Sequence, residues 1–119
     1  MTAIVLDDVH KRFGQAGALR GISARIAAGR LTGLVGPDGA GKTTLIRLMA
    51  GLLTPDQGQL RVAGLDPVQD SEVLAESVGY MPQRFGLYED LTVQENLHLY
   101  AELRGVAKAD YRATLDRLL

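Results

Sequence analysis

The fold of this chain is decided by one stretch, Gly36 Pro37 Asp38 Gly39 Ala40 Gly41 Lys42 Thr43 Thr44. Four residues separate its outer glycines, and Lys and Thr follow, which is the phosphate-binding P-loop pattern. Glycines let the backbone turn tightly around a phosphate, so that successive amide N–H groups donate to its oxygens. The pattern predicts a binding site for a nucleoside triphosphate.

Individual residues of this loop have distinct predicted roles. Lys42 is expected to reach the outer phosphates, and the Thr43 hydroxyl is expected to ligate Mg²⁺. A helix that begins near Thr43 would place the positive end of its dipole beneath the same anions. The predicted nucleotide-binding residues of the loop are Gly36, Pro37, Asp38, Gly39, Ala40, Gly41, Lys42, Thr43 and Thr44.

The segments on either side of the loop agree with this prediction. Leu31 to Val35 is a nearly continuous apolar run, typical of a strand covered on both faces in a parallel sheet. Gly51 follows the loop as a stop signal for a helix. Apolar residues at helical spacing precede or flank that glycine: Leu45, Leu48, Met49 and Leu52. A glycine-rich turn with an incidental lysine is the alternative, and this context makes it the weaker one.

Composition bounds the class of protein. The chain has 119 residues, enough for one compact domain or part of one. Its 13 basic and 14 acidic residues give a net charge of -1, which offers no electrostatic footprint for nucleic acid. The sequence has no Cys, and His10 and His98 are far apart, so a clustered metal site is not expected. No apolar run reaches the roughly 20 residues that span a bilayer, and we expect a soluble chain.

Alternating apolar residues predict further short elements. Strands are expected at Ile4 to Leu6, at Leu19 to Ile26, around Leu60 and Val62, and at Val78 to Met81, and a brief helix is expected at Ser71 to Glu76.

The last third of the sequence predicts helices. Thr92 and Glu95 form a capping-box pattern at a helix start, and that helix should continue to Gly105. A final amphipathic segment ends without a cap signal, which indicates a truncated chain. Its apolar positions are Tyr111, Leu115, Leu118 and Leu119.

Three further segments resemble a known family. The runs Gly79 to Gln83 and Leu91 to Leu97 look like the Q-loop and adjoining helical subdomain of ATP-binding cassette (ABC) transporter ATPases. Gly86 to Thr92 most resembles the drug-export, ABC-2-type branch, especially the first cassette of tandem-cassette ATPases. The resemblance covers essentially the whole chain.

The resemblance implies an α/β fold of the P-loop NTPase class. It would have an ABC-type core sheet, an N-terminal antiparallel β part and the start of the helical subdomain, and it would be truncated. Residues 1–83 would form a partial nucleotide-binding core, and residues 84–119 would form the Q-loop linker and the start of the helical subdomain.

The resemblance also assigns roles to single residues. Gln83 would contact Mg²⁺ or the attacking water and report the nucleotide state to a membrane partner; with Lys42 it is the predicted catalytic pair. A neutral amide both accepts and donates without titrating, which suits that task. Phe13 aligns with the aromatic residue that stacks on adenine in the family, although a Phe near a strand end is also commonly part of the core.

Asp38 departs from the Asn that is commoner in the family. A carboxylate aimed at phosphates would be repelled, so we expect the side chain to point away or to accept a hydrogen bond from its own backbone. The substitution Asp38→Asn should therefore leave nucleotide affinity nearly unchanged.

The implied partners are transmembrane permease subunits and a second nucleotide-binding cassette, with ATP and Mg²⁺ as cofactors and no nucleic acid. The segment from Arg84 to Tyr88 would dock to the permease on the inner face of the membrane; alternatively, Phe85 and Leu87 simply anchor it to the core.

The family's signature segment, its acidic strand end and its switch histidine are absent from this sequence, so the intact protein is expected to be the ATPase and this segment alone is expected not to hydrolyse ATP. A non-transport ABC protein acting on ribosomes or DNA, and a non-catalytic nucleotide-binding module, remain alternatives.

Overall fold

The chain forms two compact units in a computed structural model that describes residues 1–84 and 86–119. The first unit is Met1–Tyr80 and the second is Met81–Leu119. The predicted functional division between residues 83 and 84 concerns the roles of the two parts, and it stays a prediction.

A three-stranded antiparallel sheet forms the frame of the first unit. Strand β1 (Thr2–Phe13) lies between β2 (Ala16–Ala27) and β3 (Gln57–Val62), in the order β2-β1-β3. Gly14, with a φ of 63°, turns the chain between β1 and β2. The predicted strands near Ile4, Leu19 and Leu60 are confirmed, and all three are longer than the sequence pattern indicated, because cross-strand pairing continues past the apolar residues.

Helix α1 (Lys42–Met49) packs on this sheet. Val9 of β1 and Leu48 of α1 are fully buried, which places the hydrophobic core between the sheet and the helix. Helical spacing brings Leu45 and Leu48 to one face of α1, as predicted. The buried core residues are Leu6, Val9, Leu19, Leu45, Leu48, Leu60, Val62 and Leu74.

Gly51 ends α1 in the way its position predicts. Its N–H donates to the Leu48 carbonyl at 3.1 Å, and the Leu52 N–H donates to the Arg47 carbonyl at 2.9 Å. This pair of bonds is the Schellman motif, which needs a residue with positive φ, and Gly51 has a φ of 79°. The helix therefore stops at Met49, and Leu52, predicted on its apolar face, lies beyond it and is exposed.

Two predicted strands are wrong. Residues 31–37 have no regular secondary structure, and Leu31, Leu34 and Val35 are exposed rather than buried. Val78 to Met81 is likewise not a strand, and Met81 is exposed. An apolar run forms a strand only when a neighbouring strand takes up its backbone hydrogen bonds, and no described strand pairs with either segment. The brief helix is confirmed as α2 (Ser71–Ser77).

The second unit contains two helices, α3 (Val93–Leu103) and α4 (Lys108–Leu118). The predicted capping box is confirmed: the Glu95 N–H donates to Thr92 Oγ1 at 3.1 Å, and the Thr92 N–H donates to Glu95 Oε1 at 3.0 Å. Gly105, with a φ of 71°, follows the end of α3. Within the described residues, neither these helices nor those of the first unit are long and apolar enough to cross a membrane.

Candidate nucleotide-binding site

A tight turn shapes the first half of the phosphate loop. The Ala40 N–H donates to the Pro37 carbonyl at 3.2 Å, so that Asp38 and Gly39 are the two central turn residues. Gly39 has a φ of 82°, which the second central residue of a type II turn requires. Residues 36–40 are all exposed. The loop backbone is therefore folded back on itself and open to solvent.

Gly41 joins the loop to α1 at a point with no room for a side chain. Its φ is 96°, and a Cβ atom there would lie 2.7 Å from the Ala18 carbonyl oxygen and 2.9 Å from Leu19 Cδ2. Gly41 is also the N-cap of α1, and no side chain accepts hydrogen bonds at this helix start. The first-turn N–H groups, which have no partner within a helix, are thus left available to an anion.

The Lys42 ammonium lies against the backbone at the start of the loop. Its Nζ atom donates to the Gly36 carbonyl at 2.5 Å and to the Pro37 carbonyl at 2.7 Å. The Lys42 ammonium, which belongs to the first turn of α1, therefore lies beside the first residues of the loop. A cation held at this point is suited to an anionic ligand, because the α1 N-terminus adds its own partial positive charge.

Thr43 and Thr44 occupy the first turn of α1. Thr43 is exposed, and its hydroxyl is a neutral oxygen ligand of the kind Mg²⁺ accepts beside phosphate oxygens. No cluster of three or more His, Cys, Asp or Glu side chains that could hold a metal occurs among the described residues. A single neutral hydroxyl such as that of Thr43 fits a metal ion whose other ligands are phosphate oxygens.

Phe13 lies at the end of the β1–β2 hairpin. It pairs with Ala16, and the neighbouring residues Ala18 and Leu19 are the ones that Gly41 approaches. The strand that pairs with Phe13 therefore passes close to the last glycine of the phosphate loop. The side chain is 50% exposed, so it is not a core residue, and its role in stacking stays a prediction.

Gln83 belongs to the second unit and is exposed. Its predicted contact with Mg²⁺ or water, and its coupling role, therefore stay predictions. Of the predicted docking segment, Phe85 lies outside the described residues, while Leu87 and Tyr88 are 52% and 57% exposed.

The sequence did not reveal how this segment is held. The Tyr100 hydroxyl donates to the Gly86 carbonyl at 2.6 Å, and the Asn96 side chain contacts the Tyr88 backbone. Among the described residues Asn96 is the only buried polar side chain. A polar residue on an otherwise ordinary helix gives no local signal, because its partners lie outside the helix. The ion pair between Lys11 and Asp56, near Phe13, also gave no local signal, because the two residues are far apart in the sequence.

A groove of about 870 Å³ lies between α3 and α4. His98 and Tyr111 contact each other there edge to face, with ring centroids 5.3 Å apart. No glycine lines the groove, and the uncapped start of α4, whose first residue Lys108 lines it, follows no glycine-rich loop. Its size alone therefore does not make it the nucleotide site, and the loop at residues 36–44 remains the better candidate.

An α/β fold with a glycine-rich loop leading into an uncapped helix defines the P-loop class of nucleotide-binding domains. The ABC transporter family model matches residues 19–119. The chain belongs to the ABC transporter family and carries part of its ATPase domain.

Comparison with individual relatives shows what share of their length the chain covers. It is 53% identical over 118 residues to the probable multidrug ABC transporter ATP-binding protein YbhF of Escherichia coli, covering 98% of this chain and 20% of that protein. It is 40% identical to the daunorubicin resistance ATP-binding protein DrrA3 of Streptomyces coeruleorubidus, covering 99% of this chain and 37% of the relative. The chain thus spans between about a fifth and somewhat more than a third of the length of these relatives.

Import proteins are also among the relatives. The sulfate/thiosulfate import ATP-binding protein CysA of Gloeobacter violaceus is 38% identical, over 98% of this chain and 34% of that protein. A solved ATP-binding subunit of an ABC transporter matches the fold with a TM-score of 0.81 at 28% identity, covering 94% of this chain and 47% of the solved one.

Proposed function

We propose that this chain binds Mg-ATP through the loop Gly36–Thr44. The observation that carries the proposal is the uncapped start of α1 at Gly41, with the Lys42 ammonium held against the same loop. Amide donors, a helix N-terminus and a cation there converge on one exposed place, which is what a triphosphate requires. Membership in the ABC transporter family supports ATP as the nucleotide.

The remaining residues take roles around that anion site. Lys42 would contact the outer phosphates, the Thr43 hydroxyl would ligate Mg²⁺, and Phe13 would stack on adenine. Gln83 would contact the metal ion or the attacking water and respond to the state of the nucleotide. Bound Mg²⁺ would supply charge neutralisation for the phosphates.

We further propose that the whole protein hydrolyses ATP to drive transport, with export as the direction. Identity is higher to the probable multidrug transporter protein YbhF than to the import protein CysA, 53% against 38%, which supports a multidrug transporter over an importer. Its partners would be transmembrane permease subunits, which would hold it at the inner face of the membrane, and a second nucleotide-binding cassette. The exposed side chains of Leu87 and Tyr88 support docking of the segment from Arg84 to Tyr88 rather than burial in a core.

Thermal unfolding with and without Mg-ATP tests the binding proposal. A ligand at 100 times its dissociation constant stabilises the native state by about 2.7 kcal/mol, which raises Tm by several degrees in a chain of this size. The substitution Lys42→Ala should abolish most of this shift, whereas Lys108→Ala, in the second unit, removes the same charge and should leave it intact. A folded chain with no shift at millimolar Mg-ATP, or an equal shift in Lys42→Ala, would refute the proposal.

A further inference from the structure

We propose that Lys11, held in place by Asp56, is a positioning residue that fixes Phe13 for stacking on the base of the nucleotide. This inference rests on the proposed function, because it concerns the adenine end of the same site. It adds to that function two residues, Lys11 and Asp56, that lie outside the phosphate loop.

The Lys11 side chain covers one face of the Phe13 ring. Its Nζ atom lies 5.6 Å from the ring centroid, within the range of a cation–π contact. Only 15% of the Lys11 side chain is exposed, which is low for a lysine. Phe13 is 50% exposed, so the ring keeps a surface open to a ligand.

Asp56 explains why Lys11 stays over the ring. Its Oδ1 atom lies 3.6 Å from Lys11 Nζ, and its Oδ2 atom accepts a hydrogen bond of 2.7 Å from the Arg12 N–H. The Asp56 N–H donates in turn to the His10 carbonyl at 2.9 Å. One aspartate, placed just before β3, thus contacts three consecutive residues of β1 immediately ahead of Phe13.

This arrangement prepares the aromatic ring before a ligand arrives. An exposed Phe at a hairpin end ordinarily samples several rotamers, and ordering it on binding costs affinity. A cation above one face favours a single ring orientation and leaves the opposite face for a purine. The effect should reach the base only, because the phosphates are bound by the loop and Lys42.

Binding of two ligands, one with a base and one without, distinguishes an effect of Lys11 on base stacking from a general effect of its charge on anion binding. Calorimetry would measure binding of Mg-ATP and of Mg-tripolyphosphate, which has the phosphates but no base. The substitution Lys11→Met should weaken Mg-ATP binding about two- to fivefold, the range expected from a partly exposed cation–π contact, and leave tripolyphosphate binding unchanged. Lys11→Arg, which keeps a cation over the ring, should restore Mg-ATP affinity.

Two further variants make the test specific. In a Phe13→Ala background, Lys11→Met should have no additional effect on Mg-ATP, because there is no ring to position. Lys108→Met removes the same charge in the second unit and should change neither affinity. Asp56→Asn keeps an acceptor for the Arg12 N–H but releases Lys11, so it should weaken Mg-ATP in the same direction, and it serves if Lys11→Met does not fold.

The outcomes are distinct. Equal weakening of Mg-ATP and tripolyphosphate would show a general charge effect and overturn the inference. Unchanged Mg-ATP affinity in folded Lys11→Met, or an undiminished effect without Phe13, would overturn it as well. Failure of the unsubstituted chain to bind either ligand would instead overturn the proposed function on which the inference rests.

Discussion

Asn96 and Tyr88 are joined by two hydrogen bonds that run in opposite directions. The Tyr88 N–H donates to Asn96 Oδ1 at 2.9 Å, and Asn96 Nδ2 donates to the Tyr88 carbonyl at 3.0 Å. The same Nδ2 also lies 3.3 Å from the Leu91 carbonyl and 3.0 Å from the Thr92 carbonyl. One side-chain amide on α3 therefore fixes the backbone that leads into the helix.

Asn96→Ala should destabilise the second unit. Asn96 is 7% exposed and its bonds to the Tyr88 backbone are partly buried, so water replaces the lost partner only in part. A buried donor or acceptor left unsatisfied costs about 1–3 kcal/mol. Urea unfolding should show a loss of this size, and hydrogen exchange of the Tyr88 amide should accelerate. Gln94→Ala, at an exposed position of α3, should stay within about 0.5 kcal/mol, and equal effects of the two variants would contradict the assignment.

Glu95 should give the second unit a pH-dependent stability. The hydrogen bond from the Thr92 backbone N–H, and then that of the Thr92 hydroxyl, lower the pKa of Glu95 below its ordinary value of 4.5. The charged form is thus favoured in the folded state, so the stabilisation is present above about pH 4.5 and is lost as the pH falls through the lowered pKa.

The variant Glu95→Gln isolates this titration. A Gln side chain can still accept from the Thr92 N–H but does not titrate. The pKa of Asp66 is also lowered, chiefly by the Val68 backbone N–H, and gives a background in the same direction that is common to both proteins. The difference in unfolding midpoint between the two should be constant near neutral pH and shrink on acidification. A difference independent of pH from 7 to 3 would contradict the prediction.

Gly41→Ala should be more harmful than the same change at other glycines of the region. Gly39 and Gly41 both have positive φ, so an L-residue at either site costs roughly 1–2 kcal/mol of strain. Only at Gly41 does the new Cβ also meet backbone, at 2.7 Å from the Ala18 oxygen, which adds about 1–3 kcal/mol of overpacking. Gly33, with open space and ordinary φ, provides the neutral control. Chemical unfolding should rank the variants Gly33→Ala, Gly39→Ala and Gly41→Ala in increasing order of damage.

Asp38→Asn should change the dissociation constant for Mg-ATP by less than about threefold. Asp38 is an exposed turn residue, and the charge of an exposed side chain is screened by water and salt. Titration calorimetry at a fixed ionic strength measures the change directly. A tenfold gain in affinity would show that the carboxylate faces the phosphates.

The ends of helices could be predicted from the sequence because the residues that hydrogen-bond there lie only a few positions apart. Gly51 was expected to stop α1, and Thr92 with Glu95 was expected to start α3; both depend on bonds within six residues. The phosphate loop was recognised for the same reason. The ion pair of Asp56 with Lys11 and the hydrogen bonds of Asn96 with Tyr88 gave no such signal. In each, the two partners belong to different sequence patterns.

The apolar run from Leu31 to Val35 shows where prediction from sequence stops and tertiary contacts decide the structure. Its composition is that of a buried strand, yet it is exposed and unpaired with any described strand, because composition specifies which surface prefers burial and not what lies beside it. The sequence by itself determined the loop, the helix ends and the family. Only the tertiary structure decided which strands pair, and that the Phe13 hairpin meets Gly41, since these depend on contacts between distant residues whose loop-closure cost no local pattern encodes.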